Sequence, residues 1–328
     1  MTAPDVTHPF FQGFALDGTG GARTLGIDDL EKGEPERPCW LHFDCTNPGT
    51  REWMETKSGL DAIVIEALMA EETRPRCTPH EQGLLIVLRG VNLNPGADPE
   101  DMVSIRLWLE QDRLVSARVR PLMAVRDAVE ALDEGRGPKS ASGIIPYLVE
   151  RLVHRMWSVV DDMNDSVDQF EETLIENTSP PAQLRRELGH LRRQAVVLRR
   201  FLSPQREALG RMQASDITIF SPIQTARLRE SSDRITRIIE DLDEARERAS
   251  LIQDELLTIA GERMNKTVYL LTLVATIMLP LGFLTGLLGI NVGGIPGAEN
   301  PAAFWAVAAG LALLVAIEVL IFKKLKWL

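Results

Sequence analysis

Two long stretches near the C-terminal end carry almost no charge, and they constrain the fold more than any other feature. Residues 268–288 are 21 residues without an ionisable charge, and residues 302–322 are 21 residues with Glu318 as the one charged side chain. As a helix, each stretch spans about 30 Å, which matches the hydrocarbon core of a bilayer. The alternative, two buried helices of a soluble core, is disfavoured because such helices rarely run this long without charge. The sequence therefore predicts two transmembrane helices in a lipid bilayer.

The charges beside these stretches predict their orientation. The intervening loop, residues 289–301, has no Lys or Arg, whereas the tail at 323–328 reads KKLKWL. Positively charged segments stay on the cytoplasmic side, so we expect both chain ends inside and the loop outside. The N-terminal residues contain no basic segment followed by an apolar one, so we expect no cleaved signal peptide.

The rest of the chain is acidic. The net charge is −11, and the four lysines beyond Asn265 outnumber the two glutamates there, so the negative excess lies in residues 1–265. Nucleic-acid binding calls for a basic surface, so a nucleic-acid partner is excluded, whereas a cation fits. The odd count of three cysteines is typical of a reducing compartment.

Residues 1–120 are predicted to form a cytoplasmic α/β domain. Short β-branched runs predict strands at 38–44, 83–91, 102–109 and 113–119. Residues 47–60 and 61–72 have helical patterns, so we expect an antiparallel or mixed sheet flanked by helices. The stretch DGTGGAR at 17–23 lacks the third glycine of a dinucleotide fingerprint and is interpreted as a turn.

Residues 121–265 are predicted to be helical throughout. The pattern gives helices at 121–133, 142–177, from the prolines of 179–181 to Ala214, and from 224 onward. The last helix carries a heptad repeat, at Leu228, Ile235, Leu242, Ala249 and Leu256 and three residues after each. Such a repeat indicates a bundle or coiled-coil seam. With no stop signal before the apolar stretch, we predict one helix over 224–288, about 96 Å long.

Two membrane helices cannot enclose a water-filled path, so an ion-conducting chain of this kind must assemble several copies around a central pore. Gly282 and Gly286 form a small-xxx-small pair that allows helices to approach closely. Pro280 is tolerated because it lies in a membrane helix.

The C-terminal features resemble those of the CorA superfamily of divalent-cation transporters. These features are two membrane helices, a long helix leading into the first, a basic tail, and Gly289-Ile290-Asn291 at the outer end of the first membrane helix. The superfamily motif is Gly-Met-Asn, and the departure at Ile290 leaves the choice of ion open. TGLLGINVGGIPG, FALDGTGGAR, PCWLHFD and TRPR look like the bacterial zinc-transporter (ZntB) branch. The resemblance covers essentially the whole chain.

The resemblance implies a fold class, an assembly and a function. It implies an α+β membrane protein that forms a homopentameric funnel, with the α/β domain, a helical stalk over 121–265, a pore-lining helix over 266–288, an outer loop over 289–301, a second membrane helix over 302–322 and a tail over 323–328. The implied function is transport of largely hydrated Zn²⁺ across the bacterial inner membrane, with uptake as the expected direction and proton coupling left open. The alternatives are a Mg²⁺, Co²⁺ or Ni²⁺ channel, zinc efflux, and a membrane-anchored sensor or scaffold. No enzymatic activity and no cofactor are expected, since zinc is the transported substrate.

The expected pathway runs from the filter, Gly289, Ile290 and Asn291, down one helix face. Helical spacing of three and four gives Gly286, Gly282, Leu279, Ala275, Thr272, Val268, Asn265, Gly261, Leu257 and Asp254. Amide oxygens can bind the water shell of a divalent ion without stripping it, which is the expected role of Asn291. By family alignment Asn265 and Asp254 match positions facing the axis, and Asp254 is a candidate metal contact. For each of these residues, the alternative to facing the pathway is contact with lipid or with another helix. Leu271 is an alternative to Thr272 for the position on the pathway face.

Four further groups are weighed against ordinary structural roles. Glu299 forms either an anionic ring at the outer mouth or a solvated loop carboxylate. Glu318 is interpreted as pairing with a lysine near the inner boundary, with proton relay as the alternative. Cys39, His42 and Cys45 resemble zinc ligands, but His42 would point to the opposite sheet face, so a structural role is favoured. The remaining group is an acidic helix face, predicted to pair with the basic segment 185–200 rather than to bind a regulatory cation: Asp161, Asp165, Asp168 and Glu172.

Overall fold

The computed structural model describes most of the chain. The described residues are 11–31, 36–71, 73–81, 83–176, 182–214, 216–290, 295, 297 and 300–324. They fall into two compact units, Met1–Gln253 and Asp254–Leu328, called here the first and the second unit. The division lies inside the segment 121–265, because the helices of that segment pack with the sheet as far as Gln253.

A seven-stranded mixed sheet forms the centre of the first unit. Its strands are β1 (Phe11–Leu16), β2 (Ala22–Leu25), β3 (Cys39–Asp44), β4 (Arg76–His80), β5 (Gly83–Gly90), β6 (Val103–Leu109) and β7 (Arg113–Arg118). The strand order is β2-β1-β3-β7-β6-β5-β4, and β3 pairs with β7 in parallel while the other neighbours are antiparallel. The four strands predicted from sequence are confirmed, and the expected α/β fold with them.

Three strands, β1, β2 and β4, were not predicted from the sequence. Gly13 interrupts the apolar run of β1, and β2 has four residues, two of them exposed. At the edge of the sheet, β4 is mostly exposed and contains Pro79, a residue that edge strands tolerate because one row of their backbone groups has no partner strand. These strands lack the hydrophobic alternation on which strand prediction depends.

Short helices cover one face of the sheet. They are α1 (Ile27–Glu31), α2 (Pro48–Lys57) and α3 (Ala62–Met69). Asn47 accepts a hydrogen bond from the Gly49 N–H at 2.9 Å and Asp61 accepts one from the Ile63 N–H at 2.8 Å, so each side chain caps a helix start. The apolar sides of α2 and α3 cover Cys39, Leu41 and Phe43 of β3.

The turn predicted at 17–23 is confirmed. Asp17 Oδ1 accepts hydrogen bonds from the backbone N–H groups of Thr19, Gly20 and Gly21 at 2.7, 3.0 and 3.0 Å. These bonds stabilise the charged carboxylate and, with the Thr19 N–H bond as the largest cause, lower the pKa of Asp17.

Four long helices follow the sheet in the chain, and the second and third of them pack against its strands. They are α4 (Met123–Asp133), α5 (Ala141–Glu176), α6 (Ala182–Met212) and α7 (Pro222–Leu288). A Cβ atom at Gly90 would lie 2.6 Å from Leu152 Cδ2, so β5 and α5 are in close contact. The predicted start of α6, at the prolines of 179–181, lies outside the described residues.

The heptad predicted in α7 faces the core of the first unit. The heptad positions from Leu228 to Ile252 are buried, whereas Leu256 and Ile259 are half-buried. A bundle seam therefore ends where the first unit ends. The single helix predicted over 224–288 is confirmed, since α7 continues without interruption to Leu288.

The second unit contains the rest of α7 and the helix α8 (Ala303–Lys324). Both helices contain a window long and apolar enough to cross a membrane, with mean hydropathy 2.1 in α7 and 2.4 in α8, and neither window is buried inside the chain. A buried core helix would be covered, so the full exposure of two such windows fits membrane helices. The predicted pair of membrane helices is present.

Candidate functional site

The candidate pathway is a stripe along the part of α7 that belongs to the second unit. It consists of Asp254, Leu257, Gly261, Asn265, Val268, Thr272, Ala275, Leu279, Gly282 and Gly286, and is called here the α7 stripe. All ten residues are exposed except Gly261, which is half-buried, and Leu279 is 74% exposed. Apart from the half-buried Gly261, this face is left uncovered by the described residues.

A second face of α7 is partly covered. Leu273, Ile277 and Leu281 follow one another at intervals of four and are half-buried. On α8 the less exposed positions also form one line, from Leu311 through Val315 to Phe322. Because α8 is the other described helix of this unit, we infer that these two lines face each other. At 100° per residue the covered line lies opposite the α7 stripe.

Three side chains of the α7 stripe are polar, those of Asp254, Asn265 and Thr272. Thr272 Oγ1 donates to the Val268 carbonyl at 2.8 Å, so the helix uses its proton while its lone pairs remain able to accept hydrogen bonds from water. Asn265 adds an exposed amide. Thr272 and Leu271 are both exposed and flank the centre of the stripe, so the choice between them stays open.

The glycines of the stripe have no packing role inside one chain. A Cβ atom at Gly282 or Gly286 would meet no atom within 4 Å. Gly289 differs, because its N–H donates to the carbonyls of Thr285 and Gly286 at 3.0 and 3.2 Å and its Cβ would lie 3.1 Å from Thr285 O. Gly289 therefore closes the helix end, whereas Gly282 and Gly286 leave room for something outside the chain.

The outer loop is described in part. Gly289 and Ile290 are exposed, but Asn291 and Glu299 lie outside the described residues, so their predicted roles stay predictions. Asn300, which the sequence analysis did not single out, accepts a hydrogen bond from the Ala302 N–H at 2.9 Å and precedes the start of α8. An Asn directly before an apolar run was the available sequence signal for this cap.

Glu318 forms no described ion pair with Lys323 or Lys324, and Lys326 lies outside the described residues, so the predicted pairing with a lysine stays a prediction. The Oε2 atom of Glu318 is buried and has no hydrogen-bond partner among the described residues. Five residues separate Glu318 from Lys323, which places the two side chains about 140° apart around a helix. The carboxyl group instead belongs to the less exposed line of α8, the side inferred to face α7.

The zinc-ligand alternative in β3 is excluded by the hydrogen bonds of His42. Its Nδ1 lies 2.8 Å from Ser116 Oγ, and its Nε2 accepts a hydrogen bond from Arg118 Nε at 3.1 Å. Burial, followed by the charge of Arg118, lowers the pKa of His42 to about 3, so the ring is neutral and both nitrogens are occupied. Cys39 lies on the other face of the sheet, as predicted.

The three thiols are poor metal ligands at neutral pH. Burial raises the pKa of Cys39 to about 11 and that of Cys77 to about 12, and it also raises the pKa of Cys45. Metal binding requires the thiolate, which these groups do not form readily. Within the described ranges, no group of three His, Cys, Asp or Glu side chains is arranged to hold a metal ion.

For Asp168, one of the four residues of the acidic face predicted on α5, the predicted partner is wrong. Asp168 and Glu171 both accept hydrogen bonds from Arg248 of α7 rather than from the basic segment 185–200. That basic segment faces α7 itself, since Arg192 donates to Gln253 at 2.5 Å and Arg199 donates to Asp243 at 3.0 Å. Arg192 and Arg199 are seven residues apart, so they share one helix face.

Comparison with known proteins identifies the class. Residues 35–324 match the family described as CorA-like Mg²⁺ transporter protein, and the chain belongs to this family of divalent-cation transporters. It is 39% identical over 319 residues to the divalent cation transporter CmaX of Pseudomonas aeruginosa, covering 96% of each chain. It is 35% identical over 315 residues to the zinc transport protein ZntB of Pectobacterium atrosepticum, covering 96% of this chain and 95% of the other.

A solved structure supports the fold over the same extent. The structure of full-length CmaX superposes with a TM-score of 0.84 at 38% identity and covers 97% of this chain and 98% of that one. The predicted fold class and the predicted family are therefore confirmed, and the chain belongs among transporters rather than enzymes. These relatives do not decide between zinc and other divalent cations, because one is named a divalent cation transporter and the other a zinc transport protein.

Proposed function

We propose that this chain transports Zn²⁺, in largely hydrated form, into the cytoplasm through the central pore of a homopentamer in the bacterial inner membrane. The observation that carries the proposal is the α7 stripe, which is exposed, contains polar and small residues, and lies opposite the line inferred to face α8. Two helices per chain do not enclose a pore, so the stripe must meet copies of itself around an axis. The ZntB relatives support zinc as the ion.

The side chains of the stripe divide into two roles under this proposal. Asn291, Asn265 and Thr272 accept hydrogen bonds from the water shell of the ion, which avoids the large cost of dehydrating a divalent cation. Leu279, Val268 and Leu257 form apolar rings that can close the pore by excluding water. Asp254, near the cytoplasmic end, is an exposed carboxylate that attracts cations there.

A flux assay tests the proposal. The purified protein is reconstituted into liposomes, and zinc entry is measured with and without a pH gradient, with Asn291→Ala as the filter variant. We expect zinc flux that Asn291→Ala abolishes and that excess Mg²⁺ barely slows. Flux of Mg²⁺, Co²⁺ or Ni²⁺ without zinc flux would assign the alternative channel, and outward-only zinc movement would assign efflux. No flux of any ion from an intact assembly would favour a sensor or scaffold.

Thiol labelling tests the stripe independently of the ion. Leu279→Cys places a thiol on the α7 stripe, and Ile277→Cys places one on the line opposite. Because the pKa values of all three native thiols are raised, these cysteines react slowly with a charged thiol reagent, so little of the observed labelling comes from them. We expect the reagent to block flux through the Leu279→Cys protein and to leave the Ile277→Cys protein active. Equal effects at both positions would contradict the stripe.

The mass of the solubilised assembly tests the pentamer. A pentamer requires five times the 36.5 kDa of one chain after correction for detergent. A dimer or monomer that retains flux in liposomes would rule out a central five-fold pore.

A further inference from the structure

A cavity of about 1030 Å³ in the first unit is lined by four arginines. Arg76 is the first residue of β4 and Arg74 lies just before that strand, while Arg89 comes from β5 and Arg200 from α6; the cavity is called here the arginine cavity. An acidic protein with net charge −11 has no general reason to gather four guanidinium groups in one place. The arrangement therefore needs a local explanation.

The protein fixes two of these arginines on one aromatic ring. The guanidinium groups of Arg89 and Arg200 lie 4.1 and 4.7 Å from the centre of the Phe201 ring. Arg89 also donates through Nε to the Thr73 carbonyl at 3.0 Å and through Nη1 to the Met102 carbonyl at 3.1 Å. These contacts hold cationic groups in place without neutralising their charge.

Three carboxylates also line the cavity, Asp98, Glu100 and Asp101, and they offset the four arginines only in part. Asp101 pairs with Arg120, and Glu100 accepts a hydrogen bond from Gln194 at 2.9 Å. Among the described residues, no ion pair is formed by Arg74, Arg76, Arg89 or Arg200, and Asp98 is the remaining acid of the lining. The cavity therefore keeps an excess of positive charge.

The unbalanced charge is felt by Arg89. Burial is the main cause that lowers its pKa, the charges of Arg106, Arg120 and Arg200 add to this shift, and the charge of Asp101 opposes it in part. Like charges held together in this way repel one another, and a bound anion would relieve the repulsion.

A buried hydroxyl of the same cavity lacks a partner. Thr73 is 5% exposed and lines the cavity, and its Oγ1 forms no hydrogen bond with any described group. A buried polar group left without a partner is destabilising, because it has lost its hydrogen bonds to water. This hydroxyl is a second and independent sign that a polar ligand belongs in the cavity.

We propose that the arginine cavity binds an oxyanion of the phosphate class, held by Arg74, Arg76 and Arg200 and by the Thr73 hydroxyl. The planar fork of an arginine matches the paired oxygens of such an anion. A tetrahedral oxyanion also offers enough acceptors for three guanidinium groups and a hydroxyl together. Both inorganic phosphate and the phosphate end of a nucleotide carry this chemistry. The proposal concerns the first unit and does not rest on the identity of the transported ion.

Calorimetric titration of the full-length protein tests the proposal. Inorganic phosphate and ATP are titrated separately at constant ionic strength, with NaCl as the blank. The cavity variant is Arg74→Gln/Arg200→Gln, and the matched control is Arg193→Gln/Arg229→Gln, which removes the same charge from exposed positions of α6 and α7. We expect saturable binding to the wild type and the control, and at least tenfold weaker binding to the cavity variant. Tighter binding of ATP than of phosphate would identify a nucleotide as the source, and equal affinity would identify the bare phosphate group.

Thr73→Val provides a variant that should fold well. It removes the unpartnered hydroxyl at nearly constant shape, so Tm without ligand should stay the same or rise, while phosphate affinity should fall several-fold. The proposal is overturned if wild-type protein gives no more heat with phosphate or ATP than with NaCl. It is also overturned if the cavity variant and the control lose affinity equally, because the effect is then one of net charge alone.

Discussion

Ser116 holds together a buried hydrogen-bond network that decides whether His42 is structural or metal-binding. Its Oγ accepts a hydrogen bond from Trp40 Nε1 at 2.8 Å and lies 2.8 Å from His42 Nδ1. Since His42 Nε2 accepts from Arg118, the ring proton must reside on Nδ1, which donates to Ser116. The hydroxyl of Ser116 in turn donates to the Leu41 carbonyl at 3.4 Å. One hydroxyl thus satisfies two buried donors.

Ser116→Ala should be strongly destabilising for this reason. Trp40 and His42 are 0% and 2% exposed, so water cannot replace the lost acceptor. Each orphaned donor costs about 1–3 kcal/mol, which gives about 2–4 kcal/mol for the pair if some local relaxation occurs. The other His42 tautomer offers no relief, because it would bring a ring N–H against the Arg118 donor. For a unit of this size, about 2–4 °C per kcal/mol predicts a Tm lower by roughly 4–16 °C.

Thermal unfolding of the full-length protein, followed by tryptophan fluorescence, measures the effect. Ser166→Ala is the control, because that hydroxyl bonds within helix α5 to the Asp162 carbonyl and its loss should change Tm little. A Tm for Ser116→Ala within a degree of the wild type would refute the network. A zinc-induced rise in the Tm of the wild type that His42→Asn removes would instead make His42 a ligand.

Three further substitutions have defined outcomes. Burial, followed by the charge of Glu244, raises the pKa of Asp241 above its ordinary 3.8. Asp241→Asn should therefore raise Tm at pH 7, and this gain should vanish as the pH falls through the raised pKa of Asp241. A gain in Tm that persists at low pH would contradict the charge argument. Arg248→Gln should lower the free energy of unfolding at pH 7 by about 1 kcal/mol or less, because the carboxylates that pair with Arg248 are largely solvated. The hydrogen bond from Arg248 lowers the pKa of Glu171, so the difference in stability between wild type and variant should shrink as the pH falls below 4.5. A difference that stays constant with pH would refute the pairing. Glu318→Gln should leave zinc flux equal with and without a pH gradient if the unpartnered carboxyl carries the proton; a retained gradient response would exclude this role.

Periodic segments could be predicted from the sequence because each buries a regular face. The strands β3, β5, β6 and β7 and the helices from α4 to α8 all have apolar residues at the period of their own geometry. The heptad repeat of α7 predicted which side of that helix is buried in the first unit, and the heptad positions from Leu228 to Ile252 are all buried. By contrast, β4 lies at an edge, exposes most of its residues and contains Pro79, so its pairing with β5 rather than its own composition makes it a strand.

Contacts between distant segments could not be predicted in the same way. The sequence showed an acidic α5 and a basic α6 and paired the two by charge, but three helices pack together and α7 supplies both partners, Arg248 for α5 and Asp243 for α6. The arginine cavity was equally hidden, because Arg200 of α6 lies far along the chain from Arg74, Arg76 and Arg89. Charge predicts that a partner exists, whereas the packing of the helices decides which one it is.

The size of the side chains around α7 gives the strongest reason to expect that its exposed stripe meets other copies of the chain. Large apolar residues such as Phe283 and Leu287 are exposed on one flank, as suits lipid. The stripe itself contains Ala275, Gly282 and Gly286, and within one chain a Cβ would fit freely at both glycines. Glycine in a helix interior costs about 1 kcal/mol relative to alanine, and no contact among the described residues recovers that cost. Close approach by a neighbouring helix would recover it, and five such stripes around an axis would leave a narrow path lined by backbone and small side chains.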